Sequence, residues 1–264
     1  MEKADRIPEF VEGLAKGLAV IACFDDEHSE LTLSEVARRT DTSASSARRS
    51  LLTLVELGYV GVSARRFFLK PKILRLVSSS YFSNPTERFL QPELQHVVDT
   101  FGDASSFAIL DGTEVLYLSH VSVQKARRAK ASVGARYPAH ATSLGRAILS
   151  ALPDDALDAW LDSMEPLELT AHTLTDKTKI RDRIIEAREL GYATTVDELD
   201  YGVTAIAVPV HCRGLVAAVN SSGYTGSNTP QQMISDRFEL LRDKASLIAQ
   251  VLDNHPQLTA MLQQ

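Results

Sequence analysis

The sequence is poor in cysteine and in aromatic residues, with 2 cysteines, 1 tryptophan and 6% aromatics in 264 residues. Cys23 and Cys212 lie in segments that we assign to different domains, so we interpret both as packing residues rather than a disulfide or a metal pair. No stretch approaches the roughly 18 consecutive apolar residues that cross a bilayer. Charged residues crowd Met1–Phe10, which argues against a secretory signal. We therefore expect a cytoplasmic protein without a membrane partner.

Catalytic and metal-binding signatures are missing as well. The sequence has no G-x-S-x-G, phosphate-binding glycine loop, C-x-x-C or H-E-x-x-H motif. Its 7 histidines are scattered, and none forms the i, i+4 pair that holds a metal on a helix. We interpret the acidic cluster of Asp197, Glu198 and Asp200 as a solvated loop. The expectation is a protein that is not an enzyme and that uses no metal and no cofactor.

What the sequence does contain is a helix-turn-helix pattern at Leu31–Leu69. Between two helical blocks, residues 40–43 read Thr-Asp-Thr-Ser, a turn whose side-chain oxygens can cap the second helix. Two short helices joined in this way are typical of DNA-binding proteins, so double-stranded operator DNA is the predicted partner. The apolar residues at helical spacing are Leu33, Val36 and Ala37, then Ala47, Leu51, Leu52, Leu54 and Val55.

The second helix and the segment after it carry the expected DNA contacts. Hydroxyls near a helix start suit phosphates or base edges, and arginines suit phosphates or guanine. After Gly58, residues 59–62 and 67–69 read as two strands around a basic tip, which predicts a wing beside the minor groove. The alternative is a solvated basic face on an ordinary helical pair. The predicted contacts are Thr42, Ser43, Ser45, Ser46, Arg48, Arg49, Arg65 and Arg66.

Charge divides the chain in the same way. The whole sequence is acidic, at −6, which by itself argues against DNA binding. Residues 31–82, however, contain 9 Lys plus Arg against 3 Asp plus Glu, whereas residues 83–264 contain 16 against 23. A basic module on an acidic body is expected of a compact DNA reader with a second domain of another function.

The pattern of elements predicts an α+β chain in three parts. Residues 1–70 form a winged helix-turn-helix domain, whose first helix, 10–24, turns Leu14 and Leu18 to the core. Residues 71–84 form a linker helix, and residues 85–264 form an effector-binding and oligomerisation domain on an antiparallel sheet. The predicted hairpins of that domain are 105–110 with 114–121 and 203–210 with 215–220, and its main helices are 143–152, 154–163, 176–190 and 231–252.

A polar constellation surrounds the start of the helix at Ser143. We expect Ser143 to be the N-cap, and the free amides of such a helix end stabilise an anion. Arg136 and His140 just upstream add charge and a directional hydrogen bond, and Thr142 adds a hydroxyl. These residues predict a small pocket for an organic acid, and they are equally compatible with a capped helix beside a surface arginine.

A second wall of this pocket is predicted at the ends of the second hairpin. Thr204 and Ala205 enter one strand, and Asn220 and Ser222 leave its partner. Polar groups at the ends of a hydrophobic hairpin often line a binding site, and they are as often simple strand ends.

Taken in order, these segments resemble the IclR-type transcriptional regulators over essentially the whole chain. The residues that carry the resemblance are Pro-Ala-His-Ala-Thr-Ser-Leu-Gly-Arg-Ala-Ile-Leu at 138–149, Glu-Leu-Gly-Tyr-Ala-Thr at 189–194 and the stretch 198–209. Three variants look most like the Pca/Pob branch, which regulates catabolism of aromatic acids such as protocatechuate and 4-hydroxybenzoate: Phe-Phe-Leu-Lys-Pro-Lys-Ile-Leu at 67–74, His-Ala-Thr-Ser-Leu-Gly-Arg at 140–146 and Ala-Val-Asn at 218–220. The resemblance implies a GAF-like effector domain and homodimers or homotetramers.

The resemblance also places the effector near Ser143 and Leu144, near Thr204 and Ala205, and near Asn220 and Ser222. One position departs from the branch: Thr204 stands where an arginine is usual. An effector carboxylate would then bind Arg136, His140 or the helix N-terminus, or the effector belongs to another class, such as the aliphatic acids glyoxylate and pyruvate.

The main hypothesis is thus a transcriptional regulator that binds operator DNA and responds to a small organic acid, with RNA polymerase as a further partner. Two other classes compete with it. An enzyme tethered to DNA would turn over a metabolite, and an architectural DNA binder would respond to none. Whether the protein represses or activates depends on the operator position, which the chain does not encode.

Overall fold

The computed structural model describes residues 7–25, 28–77, 85–123, 131–212 and 214–263. The chain divides into two compact units, Met1–Ser83 and Asn84–Gln264. The predicted end of the linker helix at 78–82, the basic segment 125–130 and Arg213 in the second hairpin turn lie outside the described residues. None of the helices within the described ranges is long and apolar enough to cross a membrane.

The first unit is a small helical core beside a three-stranded sheet in the order β1-β3-β2. Thr32 and Glu35 form a reciprocal capping box that starts α2, and Gly58 in the left-handed region (φ 76°) follows α3. The elements are α1 (Glu12–Ala22), β1 (Glu30–Thr32), α2 (Leu33–Arg39), α3 (Ala44–Glu56), β2 (Val60–Ser63), β3 (Arg66–Leu69), a 3-10 turn (Pro71–Ile73) and α4 (Leu74–Val77).

Three details of this unit differ from the sequence prediction. The core side of α1 is formed by Val20, whereas Leu14 and Leu18 are exposed, and so is Leu52 on α3. The strand β1, whose central Leu31 is buried, was not predicted. The described part of the predicted linker helix is a 3-10 turn followed by only four helical residues.

The second unit is built on a six-stranded antiparallel sheet in the order β6-β5-β4-β9-β8-β7. The α+β prediction and both hairpins are confirmed, while β6, β7 and α10 were not predicted. The elements are α5 (Pro85–Phe101), β4 (Ala104–Asp111), β5 (Glu114–Ser122), β6 (Arg136–Pro138), a 3-10 turn (Ala139–Ala141), α6 (Ser143–Ser150), α7 (Asp154–Ser163), α8 (Lys177–Leu190), β7 (Ala193–Val196), β8 (Val203–Cys212), β9 (Leu215–Tyr224), α9 (Pro230–Asn254) and α10 (Pro256–Leu262).

Helices cover both faces of this sheet. Ala108, Ala207 and Ala218 pack in one buried cluster with Leu144 of α6, so they define the α6 face. On the other face, the hydroxyl of Ser221 accepts a hydrogen bond from Arg237 of α9. Because successive side chains of a regular strand point to opposite faces, alternate residues of β4, β8 and β9 lie on the α6 face.

Candidate DNA-binding surface and effector site

The turn between α2 and α3 is held by its own polar groups. Asp41 adopts the left-handed conformation (φ 47°), and the amide of Thr42 donates to the Ala37 carbonyl at 3.0 Å. The Thr42 hydroxyl lies 2.8 Å from that of Thr40. Ser43 is the N-cap of α3, because its hydroxyl accepts from the Ser46 amide at 3.2 Å. Thr42 and Ser43 therefore fix the angle at which α3 leaves the turn.

Arg48 lies on the outer face of α3, and Arg49 borders the groove between α3 and α1. Ser45, Arg48 and Arg49 are exposed, and in the part of the chain that the structure describes neither guanidinium has a carboxylate partner. Their charge is thus available to a phosphate. Ser46 is different, since it is buried and lines a groove between α3 and α1 with Leu54. Ser46 was predicted to contact DNA. It lies about 100° round the helix from the exposed Ser45, however, and its side chain therefore faces α1.

The wing is a two-residue hairpin turn. Ala64 and Arg65 both have positive φ, at 47° and 65°, and Ser63 pairs with Arg66 across the turn. Arg65 is exposed at the tip, with no partner among the described residues. Arg66 donates to the Glu30 carbonyl at 3.3 Å and lies 3.9 Å from the Glu35 carboxylate. The wing thus presents Arg65 without a partner among the described residues, whereas Arg66 is bonded to β1 and to the start of α2.

In the second unit, the helix start predicted at Ser143 is one residue earlier. Thr142 is the N-cap of α6, with its hydroxyl accepting from the Gly145 amide at 3.0 Å. Among the described residues, the amides of Ser143 and Leu144 have no carbonyl acceptor, and the Ser143 hydroxyl, in a side chain only 2% exposed, has no partner. These are unsatisfied donors at the positive end of a helix dipole.

Arg136 and His140 do not join these donors. Arg136 lies on the edge strand β6, where its guanidinium pairs with Asp111 and, at 2.8 Å, with Glu114. The buried His140 places its Nε2 3.1 Å from the Leu167 carbonyl, and burial lowers the pKa of this imidazole. The expectation that both side chains stand at the start of α6 with free hydrogen-bonding capacity does not match these contacts.

The hairpin wall is split between the two faces of the sheet. Ala205 pairs with Ser222, and Asn220 with Ala207, which places all four on the α6 face. Thr204 points to the opposite face, and its hydroxyl lies 3.4 Å from the Thr195 carbonyl. The side chain of an arginine at position 204 would therefore leave the sheet on the face opposite α6. The predicted residues that share the α6 face are Ala205, Asn220 and Ser222, opposite Ser143 and Leu144.

Asn220 has an oriented and partly unsatisfied amide. Its Oδ1 accepts from the Ser106 amide at 2.8 Å, and its backbone carbonyl accepts from the Ser105 hydroxyl at 2.6 Å. These contacts direct Nδ2 the other way, and within the described residues Nδ2 has no acceptor although the side chain is only 3% exposed. A buried amide without a partner costs about 1–3 kcal/mol, so such a group is expected to meet a ligand or water.

Next to this site lies a buried ion pair that the sequence interpretation missed. The Arg146 guanidinium forms a bidentate pair with Glu198, one bond being 2.8 Å, and its Nε donates to the His140 carbonyl at 2.9 Å. Both residues are buried, so Glu198 is not part of a solvated loop. Arg146 thereby attaches the turn before α6 to the loop after β7.

The described residues also contain a cavity of about 470 Å³ along the outer edge of β7, lined by Arg146, Glu198 and Thr195 among others. Its arginines and glutamates pair with one another, Arg146 with Glu198 and Arg183 with Glu186, and Asn220 and Ser222 do not line it. No group of three or more His, Cys, Asp or Glu side chains within the described ranges could hold a metal.

Comparison with known proteins gives the family. The IclR helix-turn-helix domain model matches residues 13–62, and the model of the bacterial transcriptional regulator IclR C-terminal domain matches residues 85–250. The Pca regulon regulatory protein of Pseudomonas putida is 33% identical over 86% of this chain and 79% of its own length. The p-hydroxybenzoate hydroxylase transcriptional activator of Acinetobacter baylyi is 32% identical over 91% of this chain and 92% of its own length.

A solved structure of an inducer-binding domain is similar to this chain as well. A double mutant of the PobR transcription factor inducer-binding domain from Acinetobacter, in complex with 3-hydroxybenzoic acid, is 30% identical, with a TM-score of 0.55 over 61% of this chain and 96% of that one. The relatives are transcriptional regulators rather than enzymes, and the helix-turn-helix domain implies DNA binding. The chain belongs to the IclR family of bacterial transcriptional regulators.

Proposed function

We propose that this regulator binds operator DNA as a homodimer and that a small aromatic acid, bound on the α6 face of the second unit, changes its affinity for the operator. The observation that carries the proposal is a set of buried donors without partners in the described residues, the Ser143 hydroxyl and Asn220 Nδ2. Proteins rarely bury donors in this state, so a ligand that accepts hydrogen bonds is the expected occupant.

The position of α6 supports a single site that combines the donors at the start of α6 with the side-chain amide of Asn220. Ser150, the last residue of α6, borders the same groove as Pro209 and His211. Arg146 reaches Thr194 and Glu198, at the other end of β7 and β8. The helix therefore directs its first turn toward the end of the sheet that carries Asn220. Asn220 lies about 7 Å along β9 from Ala218, which packs with Leu144.

Uncharged donors are enough to hold a carboxylate in such a place. With Arg136 and His140 bonded elsewhere and Thr204 on the other face, the acid would meet two amides, one hydroxyl and one side-chain amide. Hydrogen bonds to an ionised acceptor are about twice as strong as neutral ones, and the helix end adds favourable electrostatics.

The floor of the site favours a flat ligand. On the α6 face, β4, β8 and β9 present small side chains, namely Ala104, Ser106, Ala108, Ala205, Ala207, Ala218 and Ser222. Small residues leave room above a sheet that larger side chains would fill. Two relatives named for the Pca regulon and for p-hydroxybenzoate hydroxylase, together with a domain solved with 3-hydroxybenzoic acid, support an aromatic acid over an aliphatic one.

The dimer would form through α1 and the turn before it. Leu14 and Leu18 lie one turn apart on α1, Ile7 and Val11 stand just before the helix, and each of the four is more than half exposed. An apolar stripe of this kind marks an interface, and its self-complementary geometry suits a second copy of the chain. Two modules on a near-palindromic site would supply the contacts that one module lacks. Tetramers would form through contacts between second units. In the cytoplasm, a protein bound beside a promoter would either obstruct RNA polymerase or recruit it.

Two measurements on the full chain test the proposal. Footprinting on the DNA upstream of its own gene, at several salt concentrations, should show a protected palindrome that changes on adding 4-hydroxybenzoate or protocatechuate. Thermal shift should respond to these acids but not to pyruvate or glyoxylate. Asn220→Ala should remove the response, and Asn254→Ala, on the exposed end of α9, should keep it.

A shift with pyruvate or glyoxylate alone would replace the aromatic assignment with an aliphatic one. DNA binding that no acid changes would favour an architectural role and refute the sensor.

A further inference from the structure

Strand β5 places a histidine beside the proposed effector site, and no sequence pattern indicated it. His120 pairs with Ser106, which in turn pairs with Asn220 on the next strand. A register shift between Phe107 and Ala108 lets Tyr117 face Ala108 while His120 faces Ser106. Tyr117 and His120 are three positions apart, which in a regular strand would put their side chains on opposite faces, and the β-bulge brings both to the α6 face.

The imidazole of His120 is held at one nitrogen and open at the other. Its Nδ1 lies 2.9 Å from the Ser106 hydroxyl, and Nε2 has no partner among the described residues. Burial lowers the pKa of His120, so the ring is neutral near pH 7. The Ser106 hydroxyl can donate or accept, because within those residues it has no other partner. His120 Nε2 can therefore accept a hydrogen bond from a ligand hydroxyl or donate one to a ligand oxygen.

His120 and Asn220 stand two strands apart, which is about 10 Å between backbones. Between them on the α6 face lies only Ser106, so an aromatic ring with two substituents can span the gap above a small side chain. A ligand whose carboxylate meets Asn220 Nδ2 and the α6 amides would then direct its opposite end toward Nε2.

We propose that His120, positioned by Ser106, is the residue that selects effectors by hydrogen-bonding a ring hydroxyl opposite the carboxylate. The proposal rests on the proposed function, and it names the effector class more closely: hydroxylated benzoates rather than benzoate itself. Tyr117 is the competing reader on the same face, because its buried hydroxyl also has no partner in the described part of the chain.

Isothermal titration of the full chain with benzoate and with 4-hydroxybenzoate tests the proposal. The wild-type protein should bind 4-hydroxybenzoate about tenfold tighter, the effect of one hydrogen bond to a neutral group. His120→Phe should remove this preference and keep the affinity for benzoate within about threefold. Ser106→Ala should reduce the preference, His120→Gln should retain part of it, and His96→Phe, on the exposed side of α5, should not alter it.

Each outcome decides the matter. An unchanged preference in His120→Phe, or its loss in Tyr117→Phe instead, overturns the role of His120. Equal weakening of both acids would show that His120 supports the fold of the site rather than selecting the ligand. If neither acid binds the wild-type chain, the proposed function fails and the inference fails with it. Thermal melts without ligand verify that each variant is folded. If His120→Phe does not fold, His120→Gln takes its place in the test of the preference.

Discussion

Substitution of Glu198 by glutamine tests the importance of the buried ion pair beside the proposed effector site. The change keeps the size and shape of the side chain but removes the charge that Arg146 faces. Arg146 is 2% exposed and Glu198 9%, so water can do little to replace the lost carboxylate. The guanidinium would keep its bond to the His140 carbonyl and lose its charged partner.

The magnitude follows from that burial. Removing one member of a buried pair costs about 3–5 kcal/mol, because the remaining charge stays desolvated. Since the substituted glutamine can still accept one hydrogen bond, we expect the lower end, about 3 kcal/mol in the free energy of unfolding. The matched control is Glu186→Gln, which removes the exposed partner of Arg183 on α8, and exposed pairs contribute at most about 1 kcal/mol.

Urea denaturation followed by tryptophan fluorescence measures this well. The single tryptophan, Trp160, is buried in the second unit, with its indole nitrogen donating to the Gly112 carbonyl at 3.0 Å. It therefore reports unfolding of the unit that contains the pair. Glu198→Gln should also weaken 4-hydroxybenzoate binding, because Arg146 fixes the turn that precedes Ser143. A loss below about 1 kcal/mol, equal to that of the control, would refute the account of a desolvated charge pair.

Three further predictions concern other parts of the chain. Arg48→Ala should reduce the slope of log affinity for DNA against log salt by about 1, measured by fluorescence anisotropy, while Arg183→Ala leaves it unchanged. Ala64→Asn should stabilise the first unit by up to about 1 kcal/mol in thermal unfolding, since asparagine tolerates the left-handed conformation of the wing better than alanine; no gain would contradict the assigned turn. Burial lowers the pKa of His140 from 6.5, so the unfolded chain takes up the proton first as pH falls below that value; stability should decrease there, and His140→Gln should flatten the decrease in urea titrations at about pH 7.5 and 5.5.

Much of the local structure of the candidate DNA-binding surface could be predicted because its signals are local. The turn at Thr42, the cap at Ser43 and the arginines on α3 and the wing depend on neighbouring residues and on helical or hairpin geometry. Ser46 was misplaced because a difference of one residue, or about 100° of helix, decides between solvent and core. Similarly, Leu14 and Leu18 form an apolar stripe whose spacing does not say which partner covers it.

The contacts around the proposed effector site were predicted less well because the partners of its side chains come from distant segments. Arg136 looked available until β6 placed it against Asp111 and Glu114, and His140 until the Leu167 carbonyl met its Nε2. The position of a charged residue near a helix start does not predict which acidic side chain from another strand will pair with it.

By itself, the sequence determined the class of each unit: caps, turns, periodicity and charge specify a winged helix and a helix-covered sheet, all through interactions between near neighbours. Only the tertiary structure decided which side chains share a face. The pairing of β8 with β9 turned Thr204 away from Ala205, and the bulge in β5 brought His120 next to Ser106. The physical reason is strand geometry: a shift of one residue in register moves a side chain to the other face, and register is set by packing across the whole sheet.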